Sequence, residues 1–387
     1  MRVGLVLSST PSYSETFFRS KIRGLIDSGI EVVLFVKKDT SNDDLGCKVK
    51  VQPKISSSPI LRLIQSLYYF ILALLRSRQS TLALLKASRN EGYSLLDSIG
   101  QVIIAFQALT EKLDWLHFGF TTNALKRELI AKSIGAKMAV SLRGYDISVY
   151  PLKNPGEFQL IWKNLDRLHS ISHTLLNSAY NEGLNRESSY KIITPAVNIS
   201  GFINRKDASI NSLLYVGRLH WIKGLEYLFN ALSILKEEGV EFKLTLAGEG
   251  EDNERLRYCV NQLKLNQSVF FLGKVNHSEV SELMRTNSIL VQYSLNEGFC
   301  NTVLEAQAAG MLCVVSDADG LKENVIDQHT GWVVKKRQPK LLADKLLEVM
   351  SLSELESDVI RKSAIKRVKK EFSLEKQKKE FIDFYSD

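Results

Sequence analysis

Two carboxylates eight positions apart, Glu297 and Glu305, bracket the stretch Glu297-Gly298-Phe299-Cys300-Asn301-Thr302-Val303-Leu304-Glu305. An ionised carboxylate only accepts hydrogen bonds, and it can take two sugar hydroxyls at once when they are vicinal. Upstream, Ile289, Leu290 and Val291 centre an apolar run that reads as a strand over 287–292. Downstream, an Ala-rich run over 302–309 reads as a helix stopped by Gly310. That order puts Glu297 in the connecting loop and Glu305 about two turns into the helix. The helix start carries unbonded amides and the positive end of a dipole, both suited to phosphate. A polyhydroxyl ligand bearing phosphate fits this stretch. So does the plainer arrangement, with Glu297 a solvated loop residue and Glu305 on a helix surface.

A second loop carries complementary charge. Residues 213–216 read as a strand, 217–224 as a basic loop bounded by Gly217 and Gly224, and 225–237 as a helix with Gly239 after it. Arg218 offers a planar fork for phosphate oxygens and Lys223 a mobile point charge. Two cations in a loop that opens a helix suit a diphosphate. Strands of one parallel sheet end on the same edge, so the loops at 217–224 and 293–300 are expected there together.

These loops need a scaffold, and 387 residues are too many for one ordinary core, so two domains are expected. Hydrophobic content of 44% and charged content of 24% are those of a soluble globular protein. A net charge of +8 points to anionic partners: a nucleotide sugar, a membrane surface or nucleic acid. Nucleic acid fits least, because the cations are dispersed and no recognised motif accompanies them. Cys47, Cys259, Cys300 and Cys313 have neither C-x-x-C spacing nor a paired framework. They fit a reducing compartment and exclude a Cys-rich zinc site. No signal peptide is expected, since the chain opens directly on a strand, and no apolar run reaches the ~20 residues of a spanning helix.

The pattern from the start is strand, helix, strand: 3–7, then a helix from near Ser14 to Ser28 with Ser12 and Glu15 at capping-box spacing, then 31–36. Such a unit demands parallel strands with helices on both faces. Residues 59–89 interrupt it. Leu61, Leu63, Ile64, Leu67, Tyr68, Phe70, Ile71, Leu74 and Leu75 form a wide apolar face flanked by Arg62, Arg76, Arg78, Lys86 and Arg89. This reads as a buried helix pair of the first domain, the commoner case, or as a helix lying on a membrane. Alternation resumes with strands over 113–118 and 137–142 and a helix over 122–133 between them. His117, Arg143 and Asp146 then fall near strand ends. Pro195 reads as a hinge before a polar linker at 198–211, and the second half repeats strand, turn and helix.

Val216-Gly217-Arg218-Leu219 with Lys223-Gly224, followed by Glu297-Gly298-Phe299 and Glu305, resembles the family-four retaining glycosyltransferases. In the first half, Ser14-Glu15-Thr16-Phe17, His117-Phe118-Gly119 and Arg143-Gly144-Tyr145-Asp146 resemble the subgroup that builds colanic acid and related bacterial surface polysaccharides. The resemblance implies the α/β GT-B architecture, two facing Rossmann-like domains with a C-terminal crossover helix. The acceptor-side domain would span 1–195 with the final helix, 374–387, packing back on it; the donor domain would span 196–373. Arg218 and Lys223 would neutralise the diphosphate of a UDP- or GDP-sugar, beside Gly217. Glu297 and the amides of Gly298, Phe299 and Cys300 would contact the sugar, Glu305 the ribose, and 273–279 the base. His117, Asp146 and Glu15 would line the substrate site.

The resemblance further implies a metal-independent, cofactor-free retaining transfer of a hexose to a lipid-linked or growing polysaccharide acceptor. The enzyme would be cytoplasmic, with peripheral contact to an anionic inner membrane. One departure stands out: Arg143 occupies the place where most relatives have His. Arg stays protonated and cannot be a base, so it would clamp the diphosphate, or the chemistry needs no base there. Another is the loop 8–13, which lacks the glycine pair of many relatives. Asp317-Ala318-Asp319 reads as turn chemistry rather than a metal motif. Other reactions on the same fold are a sugar-nucleotide 2-epimerase or a phosphorylase, and a non-catalytic donor-binding subunit is a further alternative.

Overall fold

In the computed structural model the described residues are 1–11, 16–40, 44–199 and 208–386. They form two compact units, one of Met1–Ile193 with Gln377–Asp387 and one of Thr194–Lys376.

The first unit is a seven-stranded parallel sheet: β1 (Arg2–Ser9), β2 (Glu31–Lys38), β3 (Lys48–Val51), β4 (Trp115–Phe118), β5 (Lys137–Leu142), β6 (Arg167–Ser170) and β7 (Tyr190–Ile192), in the order β3-β2-β1-β4-β5-β6-β7. The central strands are apolar runs because helices cover both faces of a parallel sheet. Val3, Val33, Leu34, Leu116 and Val140 are fully buried. The edge strand β3, with Lys alternating with Val, escaped sequence reading, as did the helix Leu95–Leu109. That helix is capped by Ser94, whose Oγ accepts from the Asp97 amide at 3.1 Å.

The expected helix over 122–133 is two short turns, Thr121–Ala124 and Ile130–Ser133. Lys126 adopts a left-handed φ of 62°, held by its amide donating to Glu128 Oε1, and this breaks the helical ladder. The capping pair Ser12 and Glu15 lies outside the described residues, and the first helix is described from Thr16 to Ile26.

The helix Leu374–Ser386 buries Phe381, Phe384 and Tyr385 against the first sheet. Trp115 Nε1 donates to the Tyr385 carbonyl at 2.9 Å.

The second unit is a six-stranded parallel sheet: β8 (Ser212–Val216), β9 (Lys243–Ala247), β10 (Val269–Gly273), β11 (Ile289–Gln292), β12 (Leu312–Ser316) and β13 (Trp332–Val334), in the order β10-β9-β8-β11-β12-β13. The strand order reverses between β8 and β11. Ligands of such sheets sit at this reversal, outside the carboxyl ends of the strands.

Candidate functional site

The two chemically loaded loops of the second unit follow β8 and β11, the adjacent strands at the reversal. The backbone joins them directly, with the Leu295 amide donating to the Ile222 carbonyl at 2.7 Å. Gly224 has a left-handed φ of 63°, and a side chain there would meet the Tyr293 carbonyl oxygen at 2.3 Å, so only glycine permits this approach. Lys223 and Glu297 thereby become an ion pair, Nζ on Oε2, with both side chains about 15% or less exposed. Ser294 Oγ donates to the same carboxylate oxygen at 3.2 Å. Burial pushes the Lys223 ammonium down, but the opposing Glu297 charge outweighs it and the net shift is upward. Arg218 is exposed, and its loop is fixed by Tyr215, whose OH donates to the Arg218 carbonyl at 2.8 Å.

Sequence reasoning missed the next loop, Gly248-Glu249-Gly250, after β9. It lies backbone on backbone against the first. The Gly217 amide donates to the Ala247 carbonyl at 3.0 Å and the Leu219 amide to the Glu249 carbonyl at 2.9 Å. A Cβ on Gly248 would lie 1.9 Å from the Gly217 carbonyl oxygen, and one on Gly250 2.1 Å from that of Leu219. The two glycines one residue apart after a strand were the available signal. Gly248→Ala is expected to push the 217–224 loop away and lower stability by about 2 kcal/mol or more. A thermal melt combined with nucleotide titration checks this, since both midpoint and affinity should fall.

The helix Asn301–Ala308 starts at Cys300 without a side-chain cap and ends at Gly310, φ 76°. Gly310 and Met311 amides donate to the Gln307 and Ala306 carbonyls, closing the helix. Of the three amides expected to face a ligand, that of Cys300 is already taken: it donates to Asn324 Oδ1 at 2.9 Å, while Asn324 Nδ2 returns a bond to the Cys300 carbonyl. Among the described residues the amides of Gly298 and Phe299 have no hydrogen-bond acceptor. Phe299 is buried and packs on Phe372, ring centroids 5.7 Å apart. Asn324 comes from 24 residues downstream, with no local sequence signal.

Glu305 is not a solvated surface residue. Its side chain is mostly covered, and burial alone pushes its carboxyl up to about 7. Among the described residues no basic side chain pairs with it to offset that shift.

Asp317 accepts from the Lys336 amide at 2.8 Å and Asp319 from Asn296 Nδ2 at 2.9 Å, so this pair closes turns around the Glu297 loop. Among the described residues no group of three or more His, Cys, Asp or Glu side chains is arranged to hold a metal ion.

In the first unit, two of the expected site residues are buried. His117 is fully buried beneath the final helix: Nδ1 meets Tyr385 Oη at 2.6 Å and Lys21 Nζ at 3.2 Å, and Nε2 meets Ser141 Oγ at 2.8 Å. Burial, then the nearby Lys21 charge, drives its pKa well below the usual value, so it is a neutral packing group. Asp146 is buried too and accepts from the amides of Thr121, Arg143 and Gly144 at 2.9–3.1 Å, which makes it the anchor of the Arg143 turn. Arg143 stacks its guanidinium 4.0 Å from the Phe17 ring centre and 4.5 Å from that of Phe18. Glu15 lies outside the described residues.

An open cleft of about 390 Å³ lies past the ends of β2 and β3, lined by Lys37, Gln52, Lys54, Lys126 and Arg127. Arg127 is held by Gln52 Oε1 and the Asn123 carbonyl.

Comparison with known proteins places the chain among similar folds and sequences. Residues 199–366 match the model of glycosyl transferases group 1. The chain is 27% identical over 397 residues to WcaL of Escherichia coli strain K12, by its name a putative colanic acid biosynthesis glycosyltransferase, covering 96% of each chain. It is 25% identical over 296 residues to N-acetyl-alpha-D-glucosaminyl L-malate synthase of Bacillus anthracis, covering 72% of this chain and 76% of that one. Among solved structures, sucrose-phosphate synthase from Thermosynechococcus elongatus superposes with a TM-score of 0.76 at 16% identity, covering 100% and 98% of the two chains. HepE of Anabaena in complex with UDP gives 0.75 at 15% identity, covering 100% and 99%. The second unit thus carries a match to glycosyl transferases group 1, and the chain is homologous to WcaL along nearly its whole length and has two parallel-sheet Rossmann-like domains whose structural neighbours are GT-B glycosyltransferases.

Proposed function

We propose that this glycosyltransferase moves a hexose, with retention at the anomeric carbon, from a UDP- or GDP-sugar to a lipid-linked or growing polysaccharide acceptor in surface glycan synthesis. The observation that carries the reading is the Lys223–Glu297 pair at the sheet reversal, with two amides of the same loop unbonded among the described residues and a mostly covered Glu305 on the helix that follows. Lys223 and Arg218 stabilise charge on the donor diphosphate, while Glu297 and the amides of Gly298 and Phe299 hold the sugar. Glu305 accepts from the ribose hydroxyls.

In the transfer, the bond from the anomeric carbon to the β-phosphate oxygen breaks and the acceptor oxygen bonds on the same face. The departing phosphate oxygen takes the acceptor proton, so the products are a nucleoside diphosphate and a glycoside of unchanged anomeric configuration. No protein base is required, which accommodates Arg143. Side-chain cations neutralise the leaving group, and the reaction proceeds without metal or cofactor. The similarity to WcaL supports the polysaccharide context. The cationic cleft lined by Lys37, Lys54, Lys126 and Arg127 suits a phosphate on the acceptor. Four unpaired thiols fit a cytoplasmic site of action.

Thermal stabilisation against UDP, GDP, ADP, TDP and their sugars, with and without chelator, tests the donor site. A shift with one nucleotide family, unchanged by chelator, is the expected result. Absence of any shift, or a shift abolished by chelator, contradicts the reading. The anomeric configuration of the isolated product tests retention.

A further inference from the structure

The helix Pro59–Asn90 was expected in its commoner form to be buried within the first domain, and the structure shows otherwise. It turns at Ser77, whose φ of −152° and ψ of 53° interrupt the helix. Beyond that point Thr81, Leu84 and Ser88 are buried, and Ser88 Oγ donates to Gln101 Oε1 of the helix Leu95–Leu109 at 2.7 Å. Before it, each of residues 59–64 is exposed. Ile60 is 74% exposed, Leu63 71%, Leu67 57% and Leu75 78%, and Leu61, Ile64, Tyr68 and Ile71 are exposed with them. Single exposed apolar side chains are ordinary, but a contiguous helical band of this size marks a surface that is covered in use.

The charge around the band identifies what covers it. Between Lys54 and Glu91 there is no Asp or Glu, while Arg62, Arg76, Arg78, Lys86 and Arg89 all lie in the helix. A second copy of this chain would bring the same sign against itself. An anionic lipid surface is complementary in both respects: acyl chains for the apolar band and headgroup phosphates for the arginines. By length and composition Pro59–Asn90 could cross a bilayer. The packed half after Ser77 argues for a helix lying in the plane instead.

We propose that residues 59–76 form an in-plane anchor that docks the first unit on an anionic bilayer, burying Ile60, Leu63, Ile64, Leu67, Ile71 and Leu75. The anchor does not depend on the nature of the transferred sugar. The test is co-sedimentation of the full chain with phosphatidylcholine vesicles containing roughly one third phosphatidylglycerol, and with phosphatidylcholine alone. Binding to the anionic vesicles is expected. The double variant L63E/L67E should reduce partitioning by about tenfold or more, and R76E/R78E should weaken it and remove most of its salt dependence. Both alter exposed side chains, so circular dichroism and the melting midpoint should not change. Lack of binding by the native chain at low salt would overturn the proposal, as would full binding by L63E/L67E. So would a concentration-dependent dimer that L63E/L67E dissociates while vesicles leave the native chain in solution, which would assign the band to a second copy.

Discussion

Glu305→Gln is expected to make the protein more stable at pH 8 and at the same time a poorer binder of its nucleotide. The carboxyl is raised by burial to about 7 from an ordinary value of 4.5. Between those two values the folded state holds a proton that the unfolded state has lost. Stability therefore falls as pH rises through this window and stays lowered above it. Gln cannot ionise, so the variant escapes the loss, and we expect a gain on the order of 1–2 kcal/mol at pH 8 that vanishes near pH 5. Ribose hydroxyls that donate to the carboxylate favour its charged form. Nucleotide binding should then pull the pKa down, release a fraction of a proton near neutrality, and tighten as pH rises from 6 to 8. Calorimetry in buffers of different ionisation enthalpy reads the proton directly. In the variant the release should disappear and affinity should fall about tenfold to a hundredfold. A Glu305→Gln protein that is stabilised yet binds with native affinity would leave Glu305 as a mere buried acid and remove it from the donor site.

The opposite signs of those two effects could not be read from the chain. Spacing alone put Glu305 on a helix behind a strand and a loop, because apolar runs, glycine stops and helix starts are local signals. The helix Leu225–Glu237 was legible to the residue for the same reason. What surrounds a side chain is settled by partners distant in sequence. His117 looked like a ligand contact at a strand end until Tyr385, from the final helix, covered it. The Cys300 amide looked open until Asn324 occupied it. The exposed band before Ser77 carries the same residue types as a core helix, and its exposure in the fold is what distinguishes it. Lys126 is the local exception: it broke the helix through a left-handed turn held by Glu128, only two residues on.

The Lys223–Glu297 pair is a tertiary contact whose two loops were nonetheless expected on one edge, and its removal should have the largest effect on turnover. Glu297 holds Lys223 at the reversal between β8 and β11. In the proposed reaction a diphosphate, which carries more charge than one carboxylate, would compete for the ammonium and leave Glu297 able to accept from sugar hydroxyls. Lys223→Met should lower kcat/KM by roughly 100- to 1,000-fold, because it would remove from the leaving group a cation whose side chain is mostly covered. Glu297→Gln should cost roughly tenfold to a hundredfold, mainly in sugar positioning. The double variant should fall close to Lys223→Met alone, since the two groups act on one bound donor and their effects do not multiply. Stability should show the converse coupling. Lys223→Met strands a carboxylate that, among the described residues, Ser294 alone then supports, at a cost of about 2 kcal/mol, and Glu297→Gln in the same chain should return part of it. Steady-state rates and melts on the same four proteins measure both cycles. Losses in stability without losses in kcat/KM would make the pair a structural clasp between two loops, whereas rate effects that multiply would place its members in separate steps.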